Sequence, residues 1–93
     1  MVIGAMKCEL IIPGSRSLKD KRRVVQSMIS RTRRKFNVAV AETGYQDMWN
    51  AVQLGVVCVS NDSSHAHRVL EAVASDLDKL GEAALERFEI EIL

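Results

Sequence analysis

An α+β fold, with a four-stranded antiparallel sheet and two helices on one of its faces, is what the order of patterns along this chain predicts. Three observations carry that prediction. Period-2 alternation occurs at both ends of the chain and twice in the middle. Two stretches of helical period separate these runs in the order βαββαβ. All 93 residues are used by the six elements and their turns, which leaves one domain over residues 1–93. At 47% hydrophobic content a chain of this length closes a small core.

The first strand is predicted over Val2 to Ile12. Met6, Cys8, Leu10 and Ile12 fall on one face, and Ala5, Lys7 and Glu9 on the other. Pro13-Gly14-Ser15 breaks it, and Ser17 is placed as the N-cap of a helix. In that helix Leu18, Val25, Ile29, Thr32 and Phe36 lie within about 40° of one line at 100° per residue, with Val24 and Met28 widening one flank. Asn37 ends the pattern. Val38 to Ala41 reads as a second strand, Thr43 to Asp47 as a turn, and Met48 to Ser60 as a long third strand. Leu54 to Val59 is apolar on both faces, as a central strand is. Ser60 to Ser64 is dense in N-cap residues and opens a second helix with the stripe Ala66, Val69, Leu70, Val73, Leu77 and Leu80, stopped by Gly81. Phe88, Ile90 and Ile92 then alternate with Arg87, Glu89 and Glu91 as a one-faced final strand. Two right-handed βαβ crossovers in so short a chain specify the ferredoxin-like split-βαβ sandwich, with the first and third strands central.

Motifs spread over nearly the whole chain resemble those of the YlxP-like family, small bacterial proteins described as of unknown function. They are Ser17 to Val25, Arg34-Lys35-Phe36-Asn37-Val38, Ala41-Glu42-Thr43-Gly44, Asp47-Met48-Trp49 and Val59-Ser60-Asn61-Asp62. The resemblance implies a ferredoxin-like fold. It also implies genes commonly neighbouring those for translation initiation factor two and a ribosome-binding factor, which favours RNA over DNA as a partner. It brings no catalytic residue and no cofactor.

Charge is sorted unevenly. The formal net charge is +1, yet nine of the thirteen Lys and Arg residues lie between Arg16 and Lys35, with Asp20 the only acid among them. The segment therefore carries about +8, and Glu71 to Leu93 answers with seven acids against Lys79 and Arg87. Cations at Arg31 to Lys35 suit a helix C-terminus, whereas Lys19, Lys21 and Arg22 crowd an N-terminus that is already positive, at about 0.3–1 kcal/mol each. Free N–H groups there, with Arg16 beside them, suit an anion. The expected phosphate-contact residues are Arg16, Lys19, Lys21, Arg22, Arg23, Arg31 and Arg34. The sheet face away from the helices displays Ala5, Lys7, Glu9, Ala51, Gln53, Gly55 and Val57 and offers no aromatic platform for stacking bases. Contacts to nucleic acid are then directed at phosphate and depend steeply on salt.

Tyr45 and Trp49, in the turn that follows Glu42, are the only tyrosine and tryptophan and are expected partner contacts. A structural role is the alternative there: Gly44 supplying a left-handed turn position, Asp47 bonding the turn backbone and Trp49 capping the end of the core. Ala39, Ala41, Ala51 and Gly55 are small residues on which a second copy could pack, so a homodimeric interaction module is the second functional class. A remote third is an acylphosphatase-like phosphate site in Pro13 to Ser17, with Arg16 and Asn50 or Asn61. The acylphosphatase glycine-valine-phenylalanine-arginine pattern is absent. His65 and His67 point about 200° apart on a helix and do not converge on one metal. Cys8 and Cys58 form no CxxC pair and sit in apolar strands, as buried reduced thiols do. With no signal-peptide order at Met1 to Lys7 and no span of about 20 apolar residues, the expectation is a cytoplasmic protein without a membrane partner.

Overall fold

Six elements follow one another in the computed structural model, which describes residues 1–93: β1 (Val2–Ile11), α1 (Leu18–Lys35), β2 (Ala39–Gly44), β3 (Ala51–Ser60), α2 (Ser63–Asp78) and β4 (Ala84–Ile92). The strands form one antiparallel sheet in the order β2-β3-β1-β4, the ferredoxin-like arrangement. β1 and β3 pair along their whole length, from Val2 opposite Ser60 to Ile11 opposite Ala51. Met6, Cys8 and Leu10 from β1, and Val52, Leu54, Val56 and Cys58 from β3, point into a cluster of 17 buried apolar residues closed by Val25 and Met28 of α1 and by Leu70, Val73 and Leu77 of α2. Each large side chain among them is worth about 1.5–3 kcal/mol of burial. Gly4 lets α2 lie close to the sheet, because a Cβ there would stand 3.0 Å from Leu70 Cδ1.

Both helices are capped where expected. Ser17 Oγ accepts the Asp20 N–H at 3.1 Å, and Asp62 Oδ2 accepts the His65 N–H at 3.0 Å. The buried face of α1 differs from the predicted line. Its buried residues are Lys21, Val25, Met28 and Thr32, with Leu18, Ile29 and Phe36 half-buried beside them. The face is thus turned about 40° toward Met28.

Three local expectations are corrected. β2 runs on through Glu42 to Gly44, because Glu42 pairs with Leu54 and Gly44 with Gln53 across a bulge at Thr43. Gly44 is therefore a strand residue, and the left-handed position falls on Tyr45, at φ 62°. Trp49 does not cap the core. It lies exposed in the connection before β3, whose pairing begins at Ala51 rather than Met48. Phe88, Ile90 and Ile92 do share the helix-facing side with Cys8, Met6 and Gly4 opposite them. Phe88 and Ile92 stay partly exposed there, since β4 is an edge strand.

Candidate functional site

At the start of α1 the protein supplies its own anion. Asp20 Oδ2 accepts the Arg16 N–H at 3.2 Å and Asp20 Oδ1 accepts the Arg23 guanidinium at 3.0 Å, while Ser17 Oγ takes the Asp20 N–H. The Asp20 carboxylate thus reaches back past the N-cap Ser17 to the N–H of the residue before it, and it sits at the positive end of the helix dipole. The anion pocket expected at Arg16 and the first N–H groups is to that extent filled from within. A cleft of about 590 Å³ does open beside Pro13, Gly14 and Ser15. It is lined by Asp20 and Glu82 as well as Arg23, and Arg16 does not line it. The acylphosphatase-like arrangement does not assemble. Asn50 is beside the loop, its carbonyl accepting the Ile12 N–H at 2.8 Å, but Asn61 follows Ser60, which pairs with Val2 at the other end of β1. Ten strand residues, about 30 Å, separate the two ends.

Lys21 leaves the set of surface cations. Its side chain is 1% exposed, its Nζ donates to the Tyr45 carbonyl at 2.5 Å, and Glu42 Oε2 lies 3.1 Å away. Spacing explains the position. Lys21, Val25, Met28 and Thr32 recur at intervals of 4, 3 and 4 and so share one face, and a lysine on that face is drawn inward with its charge carried to a carboxylate at the far end of its stem. That periodicity was legible in the sequence.

The remaining cations divide by partner. Lys35 Nζ bonds Asp76 Oδ1 of α2 at 2.6 Å, and Arg31 Nε stands 3.5 Å from Asp76 Oδ2, in ion-pair range without a hydrogen bond. The Lys35 ammonium holds the Asp76 carboxyl below the usual carboxylate range against the opposing effect of burial, with Arg31 adding to the same side. Arg31 is thus tied to the helix–helix contact. Arg33 donates to the Val40 carbonyl of β2 at 3.1 Å. Arg16, Lys19, Arg22 and Arg34 are exposed and make no ion pair, and Arg23 keeps most of its surface despite Asp20. Lys19 to Arg34 spans about 22 Å of helix axis.

The second expected contact, at Tyr45 and Trp49, is a built structure on the opposite face of the sheet. Tyr45, Met48 and Trp49 are 40%, 45% and 50% exposed within five residues of the β2–β3 connection. The Tyr45 carbonyl is held by Lys21 and by the Met48 N–H at 3.0 Å, which keeps its backbone in the left-handed region. The Tyr45 hydroxyl donates to Glu9 Oε1, and Arg87 Nε donates to Glu9 Oε2 at 2.8 Å. These bonds, from Tyr45 first and then Arg87, hold the Glu9 carboxyl below its ordinary range. In return Glu9 pushes the Tyr45 phenol and the Arg87 guanidinium up. Glu9, Ile11, Tyr45, Met48, Ala51, Glu86 and Arg87 line a cleft of about 470 Å³. Glu9 and Arg87 were not singled out from sequence, since their meeting requires the β1–β4 register that places them opposite each other.

Comparison with known proteins places the chain in a family. Residues 3–90 match the model of a family described as a protein of unknown function, DUF503. The uncharacterized protein YlxP of Bacillus subtilis (strain 168) is 37% identical over 81 residues, covering 87% of this chain and 88% of the relative. A family match across all six elements, together with YlxP aligned over most of both chains, makes this protein a member of the DUF503 family, the YlxP-like proteins.

Proposed function

We propose that the protein is a non-catalytic binder of structured RNA, free or in a ribosomal particle, and that it makes phosphate contacts from the exposed face of α1. The observation that carries this reading is the set Arg16, Lys19, Arg22 and Arg34, four exposed cations whose side chains no carboxylate engages, one just before α1 and three on it, while the one acid of the helix, Asp20, is already spent at its N-terminus. Arg23 adds a fifth, shared contact. Lys21 and Arg31, bound by Glu42 and Asp76, are left out of the revised set. Bases are not read. Four phosphate contacts give a log–log salt slope of about −3 to −4, so affinity falls about 50- to 150-fold between 50 and 200 mM salt. The test is salt-titrated binding to ribosomal RNA of the full chain and of Arg22→Glu with Arg34→Glu. The double variant is expected to bind at least tenfold more weakly, with the slope about halved. Equal binding by the two proteins, or no binding at low salt, overturns the proposal. The same reading assigns the protein to the cytoplasm, in keeping with two buried free cysteines.

A second reading, a homodimer formed through the open sheet face, is favoured by one observation. Val57 and Val59 are exposed there beside Ala39 and Ala41, an apolar strip on the β2–β3 half of the sheet. Sedimentation of RNA-free protein decides it, and a species of 10.4 kDa at all concentrations removes it.

A further inference from the structure

We propose that the cleft beside the β2–β3 turn is a docking site for a basic segment of a protein partner, with an arginine side chain seated between the Tyr45 ring and the Glu86 carboxylate. This goes beyond the RNA reading and does not rest on it, since the cleft and α1 lie on opposite faces of the sheet.

Charge is the first argument. Across the open face, Lys7 stands opposite Glu89 and Glu9 opposite Arg87, so these four charges answer one another. Glu86 and Glu91 are left over. Glu86 makes no ion pair, and it is the extra residue of a bulge where the register passes from Glu9 opposite Arg87 to Leu10 opposite Leu85. Bulges of this kind re-aim a side chain, and here Glu86 lines the cleft. An uncompensated carboxylate at the mouth of a cleft selects a cation.

Shape and preorganisation are the second. Ile11 and Ala51 form an apolar floor that suits the methylene stem of a long basic side chain, and Met48 is a polarizable wall that adapts to it. The Tyr45 ring cannot swing away. Its hydroxyl is tied to Glu9 and its backbone to Lys21, so little side-chain freedom remains to be lost on binding. A planar guanidinium stacks on such a ring and is less strongly hydrated than an ammonium, which favours arginine over lysine. Arg87 does not compete for the seat, because Glu9 already holds it at 2.8 Å. Trp49 stands exposed next to Met48, as an aromatic anchor at the rim of such a contact does.

The test uses the full chain, hexa-arginine and hexa-lysine peptides, and the fluorescence of Trp49, the single tryptophan. Saturable binding of hexa-arginine at 50 mM salt is expected, at least fivefold tighter than hexa-lysine, with amide NMR shifts concentrated at Tyr45 to Trp49 and Glu86 to Arg87. Glu86→Lys is expected to weaken it at least tenfold. Glu91→Lys, the same charge change at the other end of β4, is expected to move it less than twofold. Both positions are exposed, and equal urea midpoints establish that each variant is folded. The proposal is overturned if Glu91→Lys weakens binding as much as Glu86→Lys, because the attraction is then a diffuse field. No saturation at 50 mM salt overturns it. So does a dimer that Glu86→Lys dissociates, since a second copy then fills the cleft. RNA binding through α1 is expected to survive Glu86→Lys, so the two readings fail separately.

Discussion

Replacing Lys21 by methionine separates an interior lysine from a phosphate contact. Methionine keeps most of the volume and all of the apolar stem, so the loss is electrostatic. Two bonds go with the ammonium: the one to the Tyr45 carbonyl at 2.5 Å and the ion pair with Glu42 at 3.1 Å. A charge-assisted hydrogen bond to a part-buried carbonyl is worth about 1.5–3 kcal/mol. The orphaned Glu42, 23% exposed, keeps some water, so its cost falls below the 3–5 kcal/mol of a fully buried broken pair and is set at about 1–2 kcal/mol. Lys21→Met should therefore cost about 3 kcal/mol, a fall of about 1–3 M in the urea midpoint. Adding Glu42→Gln removes the stranded charge and should restore about 1 kcal/mol, a coupling that a double-mutant cycle reads directly. A single variant within about 0.5 kcal/mol of the parent, or a double variant costing the sum of the two singles, refutes the interior assignment. The folded Lys21→Met protein should also keep the parental salt slope for RNA. Loss of one unit of that slope would return Lys21 to the surface set.

Asp76→Asn should lower stability at pH 7 by about 1–3 kcal/mol, through loss of the charge-assisted bond to Lys35. Because the folded carboxyl lies below the ordinary value of about 3.9, its contribution is complete above that pH and disappears as pH falls through the folded value. Urea midpoints taken from pH 6 downward should therefore drop more steeply for the parent than for the variant, and parallel curves would contradict the pairing. Cys8 and Cys58 are both buried, and burial pushes the Cys8 thiol up to about 12. Alkylation by iodoacetamide at pH 8 should be negligible in the native protein and complete in urea, whereas modification of Cys8 without unfolding would contradict its place in the core.

Much of this architecture is written in local periodicity. The order of elements, the Ser17 cap and the central placing of β1 and β3 all follow from alternation, turn residues and crossover handedness. What was not legible depends on pairing across the sheet. The β2–β3 turn is shorter than it reads because Glu42 and Gly44 find partners in Leu54 and Gln53, and the glycine that seemed made for a positive φ is then used in a strand. Tyr45 takes the strained position because a lysine 24 residues earlier holds its carbonyl. The basic segment read as one patch is three populations. Some charges bridge α1 to α2 or to β2, one is internal, and only those without a carboxylate nearby face solvent unclaimed. Charge counting along a chain cannot sort them, since the acids that claim Lys21, Arg31 and Lys35 arrive from β2 and α2.

The bond from Arg33 to the Val40 carbonyl bears on how the fold is kept from misassembly. Every open sheet offers strangers two rows of unused backbone groups, and on the β2 side a long side chain from the helix behind occupies one of the acceptors a stray strand would use. Six residues and a bulge shorten that row further. The β4 side runs nine residues, guarded by glutamates, its own bulge and one bond near its start, where the Leu85 N–H donates to Asp78 Oδ1 at 3.3 Å, so most of its longer row stays unlocked. Aggregation of this protein, when concentrated or partly unfolded, should accordingly start at β4, and removing Arg33 would give it a second front.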